Sequence, residues 1–190
     1  MALPSYKHLF TFAEFLDLEE RSEVKHEYIA GEIFAMAGGT ATHGAIAYNL
    51  AGVTSAQLPD GCRGLSSDVM IYIKADNTSV YPDLSIVCGE VQYQDAKKRV
   101  IMNPRVIFEV LSETTEKDDR GWKRVAYQKI ESLTDYLIIS QDQAFAEHYR
   151  RDADGVWQHG CIEGLDRNIV IESINCVLPM AKVYRDIPFE

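Results

Sequence analysis

The sequence contains no apolar run near the roughly 18 residues that a membrane-crossing helix needs, and Met1 to Lys7 has no apolar leader core. Those two absences argue against a membrane span and a secretory leader, and a soluble, cytoplasmic protein is expected. A CxxC pair is missing, and the five histidines form no HExxH-like pattern. Zinc centres and secreted disulfide frameworks use tighter spacings than Cys62, Cys88, Cys161 and Cys176 show, so reduced, mostly buried thiols are expected. Basic excess is missing too. The formal net charge is −10, which opposes generic binding to phosphate backbones. No internal repeat, low-complexity tract or Pro/Gly-rich linker divides the 190 residues, so one compact domain over 1–190 is expected. Hydrophobic residues make up 46% of the chain, enough for a packed core and too many for a disordered segment.

Net charge conceals local pattern. Lys97, Lys98, Arg99 and Arg105 fall in a stretch without acids, and Lys117, Arg120, Lys123, Arg124 and Lys129 cluster further on. The segment from Glu14 to Glu32 is acidic. Such basic runs are ordinarily solvated faces, yet a basic patch beside a reactive site can still meet DNA.

Periodicity and turn residues divide the chain into elements. Thr11 to Glu20 reads as a helix, with Thr11 and Glu14 at capping-box spacing. Lys25 to Ala37 reads as a hairpin about Ala30-Gly31. Thr42 is placed to cap a helix from about His43 to Leu58. Strands are expected over 62–74, 80–88 and 105–111, with a polar connection from Gly89 to Asn103. Thr114 or Thr115 then starts a helix reaching Ile130, in which Gly121 marks close packing on the sheet or a late start. A strand over 135–140, a hairpin of 145–151 with 156–162, a short strand at 169–171 and a final strand or helical turn follow. This order predicts an α/β fold of the mixed α+β kind, a mixed β-sheet flanked by helices with extra hairpins.

Two acids interrupt the most apolar strands. Asp83 lies in Tyr81-Pro82-Asp83-Leu84-Ser85-Ile86-Val87, and Glu109 in Val106-Ile107-Phe108-Glu109-Val110-Leu111. A buried, unpaired carboxylate costs several kcal/mol, so each must be paired, protonated or bound to a cation. The plain reading is a turn residue and an arginine partner. The pair followed by Lys123 favours chemistry: two carboxylates on neighbouring strands could share Mg²⁺ or Mn²⁺, which polarises a phosphate and activates water. Lys123 would orient that water and offset charge in the transition state. Glu27 is the first choice for a third metal ligand, with Glu32 second and Asp68 third. His43, near a helix start, reads as packing or capping.

These residues carry a resemblance. Glu27 to Glu32, Met36-Ala37-Gly38-Gly39 with His43, Ser67-Asp68-Val69, Tyr81 to Cys88, Glu109 to Thr115, Asp119 to Lys123 and Asp135 to Ile138 together resemble the bacterial Uma-type family of restriction-endonuclease-like domains. That resemblance covers nearly the whole chain. It implies the PD-(D/E)XK nuclease fold, with Pro82-Asp83 and Glu109 in the motif's acidic positions. Leu111 stands where the motif has lysine, and the resemblance moves that role to Lys123 on the following helix. The implied function is a metal-dependent endonuclease acting on DNA. The competing reading is a non-catalytic module that binds nucleic acid or protein. The implied partner is nucleic acid, with no membrane contact and a homodimer left open.

Overall fold

The computed structural model describes residues 8–189. The reading of Met1 to Lys7 therefore lies outside the described residues. Helix α1 (Phe12–Glu19) opens with the expected capping box: the Glu14 amide donates to the Thr11 hydroxyl, and the Glu14 carboxylate receives the Thr11 amide at 2.7 Å. The hairpin β1 (His26–Ile29) and β2 (Glu32–Ala35) turns at Ala30 and Gly31, both with positive φ. Helix α2 (Ala41–Ser55) begins two residues earlier than Thr42 would place it. Thr40 is the cap, and its hydroxyl receives the His43 amide at 3.1 Å.

The single strands expected at 62–74 and 80–88 are each two strands. The first splits into β3 (Cys62–Ser66) and β4 (Met70–Ile73), the second into β5 (Thr78–Val80) and β6 (Leu84–Cys88). At Ser67–Val69 and again at Tyr81–Asp83 the chain passes from one sheet to another. Pro82 offers no amide to continue a ladder, which explains the second break. The connection from Gly89 to Asn103 also holds a short strand, β7 (Val100–Ile101), before β8 (Val106–Val110).

The helix expected to run unbroken to Ile130 is broken as well. It consists of α3 (Glu116–Asp118), a wide turn over Asp119–Lys123 and α4 (Arg124–Tyr127), with non-helical φ −96° and ψ −111° at Gly121. A Cβ on Gly121 would meet nothing within 4 Å, so this glycine marks the kink and not close packing. Thr115 makes no side-chain cap. Its hydroxyl and that of Ser112 instead receive each other's backbone amides. Strands β9 (Asp135–Ile139), β10 (Phe145–Arg151), β11 (Trp157–Glu163) and β12 (Asn168–Ile171) follow. The terminal segment is both alternatives in turn, β13 (Cys176–Pro179) and then α5 (Met180–Val183).

The architecture is a mixed α/β fold with two main sheets in place of one. The first runs β2-β1-β5-β4-β7, the second β11-β10-β9-β8-β6-β3, and β12-β13 form a separate ribbon. Strand β8 pairs antiparallel with β6 and parallel with β9, and it is buried throughout. Alternation sends Val106, Phe108 and Val110 to a core with Ile46 and Leu50 of α2 and the C-terminal elements. Ile107 and Leu111 go to the opposite core with Tyr127, Val80 and Ile101, under the broken helix and the first sheet. Complete burial of a residue such as Phe108 contributes roughly 1.5–3 kcal/mol. Glu109 shares the second face, so its carboxylate is carried by the same packing that should reject it.

Two of the four cysteines differ from the expected thiols. Cys62 and Cys88 are opposed on β3 and β6 and joined as a disulfide, with Cα atoms 4.0 Å apart. Cys176 is a buried thiol and Cys161 an exposed one. The spacing of 26 residues gave no hint of this pairing, because strand register created it.

Candidate active site

The β6–β8 register pairs Leu84 with Phe108, which sets Asp83 opposite Glu109 at the strand ends, on one face of the sheet. The Asp83 amide donates to Glu109 Oε2 at 3.3 Å. The Asp83 carboxylate receives the Val110 amide at 2.7 Å, and His43 Nε2 lies 3.1 Å from that same oxygen, Oδ2. The Asp83 side chain keeps 17% of its exposure and Glu109 only 5%, so Asp83 is at the mouth and Glu109 at the floor. The hydrogen bond with Asp83 draws the His43 imidazole pKa up, against the opposing effect of burial. Gly39 makes room for that ring: a Cβ there would come within 2.9 Å of His43 Nδ1.

Lys123 enters from the broken helix. Its ammonium lies 2.9 Å from Glu27 Oε1, 3.3 Å from Asp119 Oδ1 and 3.8 Å from Glu109 Oε1. Tyr127 donates its hydroxyl to Glu109 Oε1 at 2.8 Å, and Tyr136 donates to the Asp119 carbonyl beside the kink at 3.0 Å. Asp119, Lys123 and Tyr127 thus face the sheet together although Gly121 interrupts the helix between the first two. Burial opposes the charge on Lys123, but Glu109, Glu27 and Asp119 outweigh it and raise the pKa, so this ammonium stays protonated. Burial lifts the Glu109 pKa well above the ordinary carboxylate range; Lys123 pulls it down and the negative charges of Asp119 and Asp83 push it further up. Asp119 is raised for the same leading reason. Three acids, Glu27, Glu109 and Asp119, therefore surround one lysine, with Asp83 adjoining Glu109, and the buried Glu27 Oε1 and Asp119 Oδ1 complete no hydrogen bond of good geometry.

A cleft of about 530 Å³ opens over these groups where the two sheets part. Asp83, Glu109, Lys123, Asp119 and His43 line it, together with Ser112, Thr114 and Thr115. Glu27 does not line the cleft; it stands behind Lys123 as its nearest anion. Asp68 is an exposed rim residue paired with Lys25 at 2.6 Å, and Glu32 lies beside the hairpin turn, away from the cleft lining. Among the described residues, no group of three or more His, Cys, Asp or Glu side chains is arranged to hold a metal ion. The basic runs are largely committed elsewhere. Lys97 pairs with Glu20, Arg99 with Asp95, Arg120 with Glu116 and Glu147, and Lys129 with Asp76, while Arg124 lies over the Tyr149 ring. His43, expected to pack or cap, instead meets Asp83, and Thr114 and Thr115, expected to start a helix, line the cleft with Ser112; their one signal was their position directly after the Glu109 strand.

The family model Uma2, described as "Putative restriction endonuclease", matches residues 12–180. The chain belongs to the Uma2 family. Two Synechocystis proteins, both described as uncharacterized, are similar to it. It is 34% identical over 178 residues to slr1290, covering 93% of this chain and 92% of that protein. It is 32% identical over 150 residues to sll1609, covering 78% and 85%. The fold is similar to that of a crystal structure described as a putative nuclease belonging to DUF820 from Anabaena variabilis. The TM-score is 0.74 at 17% identity, over 92% of this chain and 97% of that one. In this Uma2 chain the side chain of Leu111 is spent on the core beneath the broken helix, and Lys123 is the ammonium within reach of Glu109. Among the described residues no helix is long and apolar enough to cross a membrane.

Proposed function

We propose that this Uma2 protein hydrolyses phosphodiester bonds in DNA with a divalent cation, Mg²⁺ or Mn²⁺, at Asp83 and Glu109. The carrying observation is the charge balance of the cluster: three carboxylates, Glu27, Asp119 and Glu109, lie 2.9–3.8 Å from one buried ammonium, and a fourth, Asp83, adjoins Glu109. Buried charge without compensation is costly, and a divalent cation supplies what is missing. Two carboxylates suffice for Mg²⁺, which keeps several waters and leaves room for a phosphate oxygen. A bound ion of this kind polarises a phosphate and lowers the pKa of water.

The remaining work falls to the chain's own residues. Val110 and His43 hold Asp83 Oδ2 and leave Oδ1 for the ion, while Tyr127 holds Glu109 Oε1 and the Asp83 amide orients Oε2, which keeps a second lone pair for the ion. Lys123 keeps its proton, so it serves as a donor and fixed positive charge beside the attacking water, not as a general base. Glu27 and Asp119 aim that ammonium. We therefore assign Glu27 to Lys123 and not to the metal.

Calorimetry with Mn²⁺ tests the reading directly. Wild type is expected to bind Mn²⁺ and to nick DNA in an EDTA-sensitive way. Asp83→Ala and Glu109→Ala are each expected to lose both properties, and Lys123→Ala to keep the ion and lose rate. Equal nicking by wild type and Asp83→Ala would expose a contaminant. A wild type that binds no ion would leave this chain a non-catalytic binding module.

A further inference from the structure

A second cavity, of about 420 Å³, adjoins the cleft and shares Asp83 and Ser67 with it. Its volume is within the range that encloses small ligands, about 300–1,000 Å³. Helix α2 lines both spaces. His43, Ala47, Ala51 and Ser55 recur every four residues, so one stripe of the helix leads from the cleft into the side cavity. Small side chains keep that stripe low, and Leu84 and Ile86 give the cavity an apolar floor. Thr54, only 1% exposed, also lines it, and its buried hydroxyl has no hydrogen-bond partner. At the rim stands Tyr48, a large aromatic left 76% exposed.

The charge around the site restricts what can occupy it. A protein that grips duplex DNA does so through several Lys and Arg contacts to phosphates. Among the described residues, the only lysines lining the cleft, Lys25 and Lys123, are both engaged by acids, no arginine lines it, and neither Lys nor Arg lines the side cavity. Affinity must therefore come from something other than the backbone. An aromatic face beside an apolar slot edged by the hydroxyls of Ser55, Ser66 and Ser67 is the chemistry that holds an unpaired base, since every base presents a π-face and a polar edge.

We propose that the side cavity is a subsite for an unpaired nucleobase, so that the protein acts on single-stranded or locally unpaired DNA. The base neighbouring the phosphate at Asp83 enters the cavity and stacks on Tyr48, and the exposed hydroxyls of Ser55 and Ser66 meet its polar edge. The proposal rests on the phosphodiesterase reading for its choice of ligand, but the subsite can be tested without cleavage. Fluorescence anisotropy in Ca²⁺, with a labelled single-stranded thymidine oligonucleotide and the matching duplex, measures binding alone.

Wild type is expected to bind the single strand at least about ten-fold more tightly than the duplex, and Tyr48→Ala to lose about ten-fold of that affinity. Tyr48→Phe keeps the ring and should retain it. An abasic step in the oligonucleotide should weaken wild type and leave Tyr48→Ala little changed. Tyr48 is exposed, so these variants should fold as wild type does, which circular dichroism verifies. Duplex binding as tight as single-strand binding, no single-strand binding, or equal affinity in Tyr48→Ala and wild type overturns the subsite. Failure of the phosphodiesterase reading looks different: no Mn²⁺ binding and no cleavage by a protein that still prefers the single strand through Tyr48.

Discussion

Asp135 shows how a buried acid is kept charged without any metal. It sits fully buried at the head of β9, and His148 Nε2 at 2.7 Å, the Ser173 hydroxyl at 2.5 Å and the Thr134 hydroxyl at 2.8 Å surround its two oxygens. Burial alone would raise its pKa, but the His148, Ser173 and Thr134 hydrogen bonds outweigh burial and hold it below the usual carboxylate value. A depressed folded pKa stabilises the protein above the unfolded value and ceases to do so as pH falls through the folded one. Asp135→Asn is therefore expected to cost about 1.5–3 kcal/mol near neutral pH. The gap to wild type should close below about pH 4, as urea unfolding across pH would report. A gap independent of pH would show that Asp135 acts through packing. Glu109 is the opposite case: one tyrosine and a shared lysine leave its pKa raised, which is why the charge deficit lies there and not at Asp135.

At the scale of elements, the decisive feature is the broken helix over 116–127. A straight helix would carry Asp119 and Lys123 one turn apart on an unbroken cylinder. Here the chain is kinked at Gly121 between them, yet both are buried against the sheet, while Trp122 packs on the neighbouring core. Gly121→Ala adds a Cβ that meets no neighbour, so the site has room for it, but alanine's higher helix propensity favours a continuous helix over the kink. The variant is expected to keep most of its thermal stability and to lose activity on the order of a hundred-fold, the cost typical of an ångström-scale misplacement. Steady-state cleavage and a melting curve from one preparation test both halves. Activity near wild type would mean that the kink does not aim Lys123.

At the scale of the whole molecule, the site exists because two sheets part where the chain crosses between them twice, at Ser67–Val69 and Tyr81–Asp83. The Cys62–Cys88 bond fastens edge strand β3 to β6, the strand that Asp83 leads into. Closing a loop of 26 residues stabilises a fold by about 3.5 kcal/mol in the chain-entropy account. The double variant Cys62→Ser with Cys88→Ser should lose about that much in urea unfolding, and reduction of wild type should reproduce the loss. No difference between the variant and oxidised wild type would mean that the bond does not form in solution. Because most basic side chains near the cleft are paired internally, affinity for DNA should fall gently with salt. The log–log slope should be about 2 or less in magnitude, not the steep slope of a phosphate-gripping protein. A slope several times larger would show that Arg120 and Arg124 leave their partners for DNA.

Much of this was legible in the sequence because it depends on neighbours along the chain. The capping box at Thr11, the Ala30-Gly31 hairpin, the apolar alternation around Glu109 and the candidate acids all follow from spacing within a few residues. The sheet crossings were not legible. A run such as 62–74 alternates in the same way whether it stays in one sheet or passes to another, and only the order of strands decides which. The same holds for the partners. Lys123 meets Glu27 across 96 positions of sequence, His43 meets Asp83 across 40, and Cys62 meets Cys88 across 26. Local sequence determined which side chains were candidates for chemistry and which face of a strand each occupied. Which of them touch was decided by register, crossover and the kink at Gly121, because contacts between distant residues are set by how the elements pack and not by the spacing that forms them.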